Sequence, residues 1–436
     1  MVKRRQIKPI PTFWVSGIGS WVRGHDYINL TAMPRLGYCG DVGDARHDGA
    51  LGAILPPRRN RAPMKTTSLW TRAVNLLMLP LVASPLGAQG QRADSMAKPP
   101  FESFSVIQYA TTEGPGPQNI LRLDNNGEIA LAARSGMTRE ALPAQAPFTE
   151  SQIALLKAFR LLEERNDTLK TAFPILDPEE TRQLRGRVQV AAPRLAEQLA
   201  PDVQAFVQEL RAIGREGNAY TMLFSYIIDG LVWDEFEESS LVDIREVTAA
   251  NPFWAGEVWA LYPPRAFAPG TNSISEEGVS LKVSWTEDAI PQMLPFVADV
   301  PTLIQMFDDY RTAGGVKHER VREVFGPFDL FDEEGRFTIP VIVEDDSNPM
   351  YRSAKAMAKA VAGVAPEHLH FTALVEEFKF RDAKQALVVA YHELMWELMD
   401  RLVAGGFVRK PTAFADPSRA EPADIADLVF IVRGSK

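Results

Sequence analysis

Three histidines invite a metal reading: His368 and His370, separated by Leu369, and His392, followed by Glu393. Neutral imidazoles with a carboxylate suit a divalent cation such as zinc. The zincin arrangement places two histidines four apart on one helical face. Here the position four beyond His392 is Trp396. On a helix, Glu393 lies ~100° from His392 and Glu397 ~140°, whereas Trp396, Met399 and Val403 fall within ~40° of it. His392 is therefore expected at the edge of an apolar face. His368 and His370 share a face only if residues 367–371 are extended.

A second constellation is Thr221, Ser225 and Asp229, spaced by four on a predicted helix and so aligned in one polar seam. If desolvated, Asp229 beside Ser225 could serve as a general base. The simpler reading makes the seam the solvent-facing strip of that helix. A third is the aromatic group Phe253, Trp254, Trp259, Tyr262 and Phe267, set among prolines. Flat rings on rigid loops stack on ligands, so Trp254, Trp259, Tyr262 and Phe267 are the candidate ligand-binding residues. The same composition also suits a satellite core.

Other chemistry is poorly represented. There is no Gly-x-Ser-x-Gly, no phosphate loop and no dinucleotide fingerprint. Ser95-Met96-Ala97-Lys98 matches Ser-x-x-Lys by chance spacing, with no Lys-Thr-Gly partner. The acidic runs at 234–238 and 344–346 lack calcium-loop spacing and read as solvated helix ends and loops.

The strongest signal concerns address. Residues 64–72 are short and basic, 73–83 are apolar except for Asn75 and Pro80, and small residues end at Gly87-Ala88. These are the three parts of a secretory signal peptide, with cleavage expected after Ala88. Its apolar part is shorter than the ~20 residues of a membrane span. Upstream, residues 1–63 carry ten Lys or Arg, no Glu and no sustained periodicity, which reads as a doubtful leader from a start assigned too early. Residues 1–88 hold 12 of the 47 basic and 4 of the 56 acidic groups. The remainder therefore has 35 and 52, a net charge of −17. Such a surface repels phosphate backbones, so nucleic acid is an unfavourable partner. The one cysteine, Cys39, lies in the leader, leaving no disulfide in the remainder.

The elements that must position these residues follow from periodicity. Residues 101–110 suit a strand. Residues 119–123 and 128–132 face each other across Asp124-Asn125-Asn126-Gly127 as a hairpin. Thr149 and Gln152 form a capping box ahead of a helix. Val203, Phe206, Val207, Leu210 and Ile213 make the apolar stripe of a second. Asn218 can cap a third running to about Phe236, apolar over most of its circumference and hence central. Strands are expected at 257–262 and, from strict alternation, at 279–285, the latter half-buried with one face covered. A helix spans 300–311, and a second hairpin joins 328–331 to 336–343. Helices follow at 353–361 and 384–403, then strands at 407–408 and 428–432. Helix, glycine stop, strand, loop and strand is the order of a winged-helix unit. The recognition helix nevertheless offers Glu393, Glu397 and Asp400 rather than a basic face.

The fold expected is α+β: a central helical layer with short antiparallel hairpins and a winged-helix-like C-terminal unit. The regions are the leader (1–63), signal (64–88), a small β region (89–148), a helical region (149–250), a mixed region carrying the aromatic loop (251–345) and a final helical region (346–436). The function expected is that of an exported envelope protein, periplasmic or secreted, binding a small-molecule or protein ligand. No cofactor is firmly implied. The alternatives are a metal-dependent or carboxylate-dependent hydrolase and, if the signal is spurious, a winged-helix regulator.

Overall fold

The computed structural model describes residues 15–16, 99–111, 115–242, 246–249, 252–289, 299–419, 421–425 and 427–433. The signal segment, and the leader apart from residues 15–16, lie outside these. The fold is α+β, with a central helical layer and small, mostly antiparallel sheets. No helix among the described residues is long and apolar enough to cross a membrane.

The first strands are β1 (Val15–Ser16) and β2 (Ser105–Thr111). The hairpin expected at 119–132 is instead two short helices, α1 (Pro117–Arg122) and α2 (Asn126–Ala132). Pro117 occupies the first helical turn, and the Asn119 side chain accepts the Gly116 N–H. Asp124 takes a left-handed φ of 50°, and Asn126 Nδ2 donates to the Ile120 carbonyl at 2.8 Å. Local polar bonds thus turn the chain, while Ile120, Leu121, Ile129 and Ala130 share one core. That core is closed by β3 (Met137–Thr138), α3 (Glu150–Ala158), β4 (Leu162–Arg165) and β5 (Thr168–Thr171). The last three strands form a sheet in the order β3-β5-β4. The capping box of α3 is present as expected.

Next comes α4 (Pro178–Ala212), 35 residues capped by Asp177, whose carboxylate accepts the N–H groups of Glu179 and Glu180. The stripe from Val203 to Leu210 lies on its buried face. The run 219–238 consists of α5 (Ala219–Thr221), a π-helix (Met222–Leu231) and α6 (Val232–Glu238). Two carbonyls of the π-helix bond outside it. Ser225 O accepts Lys282 Nζ at 3.2 Å, and Ile228 O accepts the Tyr391 hydroxyl at 2.7 Å. A Cβ at Gly230 would meet Lys282 Nζ at 2.8 Å, so glycine is what admits the lysine at this turn. A side chain inserted into the hydrogen-bond ladder accounts for the wider turn.

Strands β6 (Ala255–Tyr262), β7 (Gly270–Glu276) and β8 (Val279–Trp285) follow, then α7 (Val300–Ala313), α8 (Glu319–Phe325) and β9 (Val341–Glu344). The chain ends with α9 (Pro349–Leu369), α10 (Phe371–Phe378), α11 (Ala383–Ala404), α12 (Thr412–Ala415) and β10 (Leu428–Arg433). β2 pairs antiparallel with β6, with a register shift at Ile107/Gln108. The largest sheet has the order β1-β7-β8-β10-β9, with β9 and β10 parallel.

Three expectations change here. The second hairpin is reduced to a bridge between Phe331 and Phe337, because β9 leaves to pair with β10. Residues 407–408 are not a strand, and β10 lies inside the sheet between β8 and β9, so no wing forms. Strand β8 is covered on both sides rather than one. Its apolar face (Leu281, Val283, Trp285) joins a core with α7 and α8, while Ser284 and Lys282 meet the π-helix.

At the start of β7, Gly270 pairs with Trp285, and a Cβ there would meet the indole at 2.3 Å. Gly270→Ala is expected to destabilise the protein by roughly 1–3 kcal/mol through forced repacking of Trp285, read as a lower urea midpoint with an altered tryptophan spectrum.

Candidate functional site

Tyr262 ends β6, and Pro263-Pro264 then turns the chain away from the sheet. The loop 263–269 carries Arg265 and Phe267 and is tied to α11 by Trp396 Nε1, which donates to the Pro269 carbonyl at 2.9 Å. These residues line a cleft of about 490 Å³. Trp285, held against Gly270, and Phe414 of α12 supply further walls, and Phe414 meets Phe267 edge-on at 6.3 Å. Lys410 Nζ stands 3.7 Å from the centre of the Phe267 ring, a cation–π contact. Tyr262 and Thr286 both line the cleft, and each carries a buried hydroxyl with no hydrogen-bond partner among the described residues. Burial, with the charge of Glu393 nearby, pushes the Tyr262 phenol well above its usual range, so it remains a neutral O–H group.

Behind one wall lies a buried ion network. Glu393, fully inaccessible, accepts two hydrogen bonds from Arg185 at 3.0 and 3.1 Å and one from Arg265 at 2.8 Å. Arg265 also reaches Glu397 at 3.1 Å and Asp400 at 3.5 Å, and Arg401 closes on Glu397 at 2.6 Å. Arg185 donates to the Pro263 carbonyl at 2.7 Å as well, and its guanidinium stands 5.9 Å from the Tyr262 ring centre. Glu393, Glu397 and Asp400 are spaced by four and three, so one face of α11 presents all three acids. That spacing is legible in the sequence, but the identity of the partners is not. Arg185 is 208 positions from Glu393.

No protein-family model matches this chain, and no curated protein or solved structure matches it. Its chemistry rests on its own geometry.

The aromatic group divides. Tyr262 and Phe267 line the cleft. Trp254 is instead buried in the N-terminal core, its Nε1 donating to the Phe159 carbonyl at 3.1 Å, and Phe253 stacks on Phe159 at 4.8 Å. Trp259 stands on β6, and its side chain lies outside the described residues.

The polar seam is not solvent-facing. Thr221, Ser225 and Asp229 are all buried. Ser284 Oγ lies 2.7 Å from Thr221 Oγ1 and 2.5 Å from Ser225 Oγ, and Thr271 donates to Ser225 at 2.8 Å. Asp229 accepts the Trp233 indole N–H at 3.1 Å. The seam faces the polar side of β7 and β8, where each hydroxyl finds another. Ser225 and Asp229 do not line the cleft beside the loop 263–269.

The three histidines are not brought together. His368 is half-buried at the end of α9 and reaches Gln198 at 3.3 Å. His370 links α9 to α10 in a left-handed conformation. His392 is buried beside Trp233, its Nδ1 bonded to the Val388 carbonyl at 2.7 Å, and burial pushes its pKa down to about 4. Among the described residues, no group of three or more His, Cys, Asp or Glu is placed to hold a metal ion.

A second, larger cleft of about 990 Å³ lies between the C-terminal half of α4 and the loop 405–412. Asp427 lines it. This carboxyl accepts the Thr221 N–H through Oδ1 at 3.4 Å, while Oδ2 is buried without a partner. Burial pushes its pKa up to about 7.

Removing the Glu393 carboxylate leaves the Arg185 guanidinium without its carboxylate, while Arg265 keeps Glu397 and Asp400, so Glu393→Ala is expected to cost roughly 3–5 kcal/mol in chemical denaturation. For Asp427, the folded state holds its proton more tightly than the ordinary carboxyl at 3.8. This group's contribution to stability therefore declines as pH rises from about 4 to about 7. In Asp427→Asn that decline should vanish, read as the difference between the two stability–pH curves.

Proposed function

We propose that this chain is an exported small-molecule-binding protein of a bacterial envelope, and that the cleft beside the loop 263–269 is its binding site. One observation carries the reading. Rings from four separate segments, Tyr262, Phe267, Trp285, Trp396 and Phe414, converge on a cleft whose lining includes two residues with partnerless hydroxyls. Its volume falls in the range of roughly 300–1,000 Å³ common to small-molecule sites. The loop is braced by the Arg265 ion pairs and the Trp396 bond to Pro269, so the walls are held before a ligand arrives. Export is supported by the basic, apolar and small-residue tract at 64–88.

A second reading, carboxylate-dependent hydrolysis, is favoured by Asp427 alone, a carboxyl pushed to about 7 at the larger cleft. Hydrolysis of 4-nitrophenyl esters or glycosides, lost in Asp427→Asn and breaking near pH 7, would establish it.

For the binding reading, mature protein recovered from the envelope should begin near Gln89. A compound that raises the melting temperature should lose most of that effect in Phe267→Ala, a partly buried ring at the edge of the core. Equal shifts in the variant and the parent would place the ligand elsewhere.

A further inference from the structure

We infer that this cleft takes a neutral, planar aromatic molecule carrying a hydroxyl or similar hydrogen-bonding group on its edge, with Tyr262 and Thr286 as the residues that select for that group. The inference rests on the binding reading above and adds the class of ligand.

Three observations lead to it. The buried charges beside the cleft are already matched: Arg185, Arg265 and Arg401 are paired with Glu393, Glu397 and Asp400, while Asp288 adds an exposed carboxylate to the lining. An anionic ligand would have to draw Arg265 from carboxylates that already hold it. A cationic one would face Arg265 in the lining and Lys410 over Phe267, with only the exposed, solvent-screened Asp288 to attract it. Neutral ligands meet neither cost.

The walls combine rings and small apolar side chains, with Ile107, Pro264 and Ala268 between the aromatics, and polar groups from Ser105, Arg265, Thr286 and Asp288. Offset-stacked and edge-to-face contacts reward a flat aromatic body. A sugar carries a hydroxyl on nearly every ring carbon, and most would lose water here without finding a partner, at about 1–3 kcal/mol each.

The two partnerless hydroxyls belong to residues that are at least nine-tenths buried, Tyr262 at 1 % and Thr286 at 6 % exposure. A hydroxyl can both donate and accept, so the pair suits a ligand O–H or N–H with a neighbouring lone pair. Because neither hydroxyl bonds to any of the described residues, removing one should not unfold the protein.

Four probes test this on the full mature chain by calorimetry: 2-naphthol, naphthalene, 2-naphthoate and maltose. 2-Naphthol should bind best. Tyr262→Phe and Thr286→Val should each weaken it by about tenfold, the value of one hydrogen bond. Naphthalene, which has no hydroxyl, should change by less than about twofold in both variants, with melting temperatures close to the parent's. An equal loss for naphthol and naphthalene would overturn the selecting role of the two hydroxyls. Tighter binding of naphthoate or maltose, abolished by Phe267→Ala, would overturn the ligand class while leaving the cleft as the site. If none of the four binds, the ligand class falls. The cleft then stands or falls by the Phe267→Ala melting shift alone.

Discussion

Glu393 sits at the point on which much of this structure turns. It is a carboxylate with no access to water, held by guanidinium groups from α4 and from the loop after β6. Desolvating an ion costs several kcal/mol, and only close, well-oriented partners return that energy. The two arginines must therefore be where they are, and each brings a segment with it. Arg185 brings the first turns of α4 and grips the Pro263 carbonyl, and Arg265 brings the aromatic loop. The network acts less as a source of net stability than as a constraint on where the loop can lie. The cleft is a consequence of that constraint.

The same logic governs the other polar interior. Lys282 enters the helical layer from β8 at Gly230, and the helix widens to accept it. Burial pushes the Lys282 pKa down, partly offset by Asp234 and Asp229. Around it, Thr221, Ser225, Thr271 and Ser284 satisfy one another through hydroxyl bonds. Each of these hydroxyls is satisfied by another, so the polar interface is buried without leaving them unpaired. It lets one sheet carry an apolar core on one side and a hydroxyl-lined contact on the other.

How much of this was legible depended on the range of the interactions involved. The capping box at Thr149, the α4 stripe, β8 and the long helix at 383–404 rest on residues within a few turns of each other, and periodicity finds them. The hairpin expected at 119–132 failed although its signals are local. Asn and Gly permit a tight turn, but the same residues can cap and link helices. Packing of Phe101 against Gly127 favours the helices, and that contact crosses 26 positions. The seam at 221–229 was readable as a seam, but its direction was not. A polar stripe looks alike whether it faces water or another polar surface.

By itself the sequence determined the α+β class, the acidity of the chain after residue 88, the order of most helices, and Tyr262 and Phe267 as ring-bearing residues on a proline-framed loop. Each depends on composition or on neighbours near in the chain. Tertiary structure alone decided that Trp254 serves the core while Trp285, Trp396 and Phe414 line the cleft, that Glu393 finds Arg185, and that Asp427 rather than Asp229 lies in the wall of the larger cleft. Those outcomes depend on which distant faces meet. Desolvation, the term that sets the energy of every buried charge here, exists only once they have met.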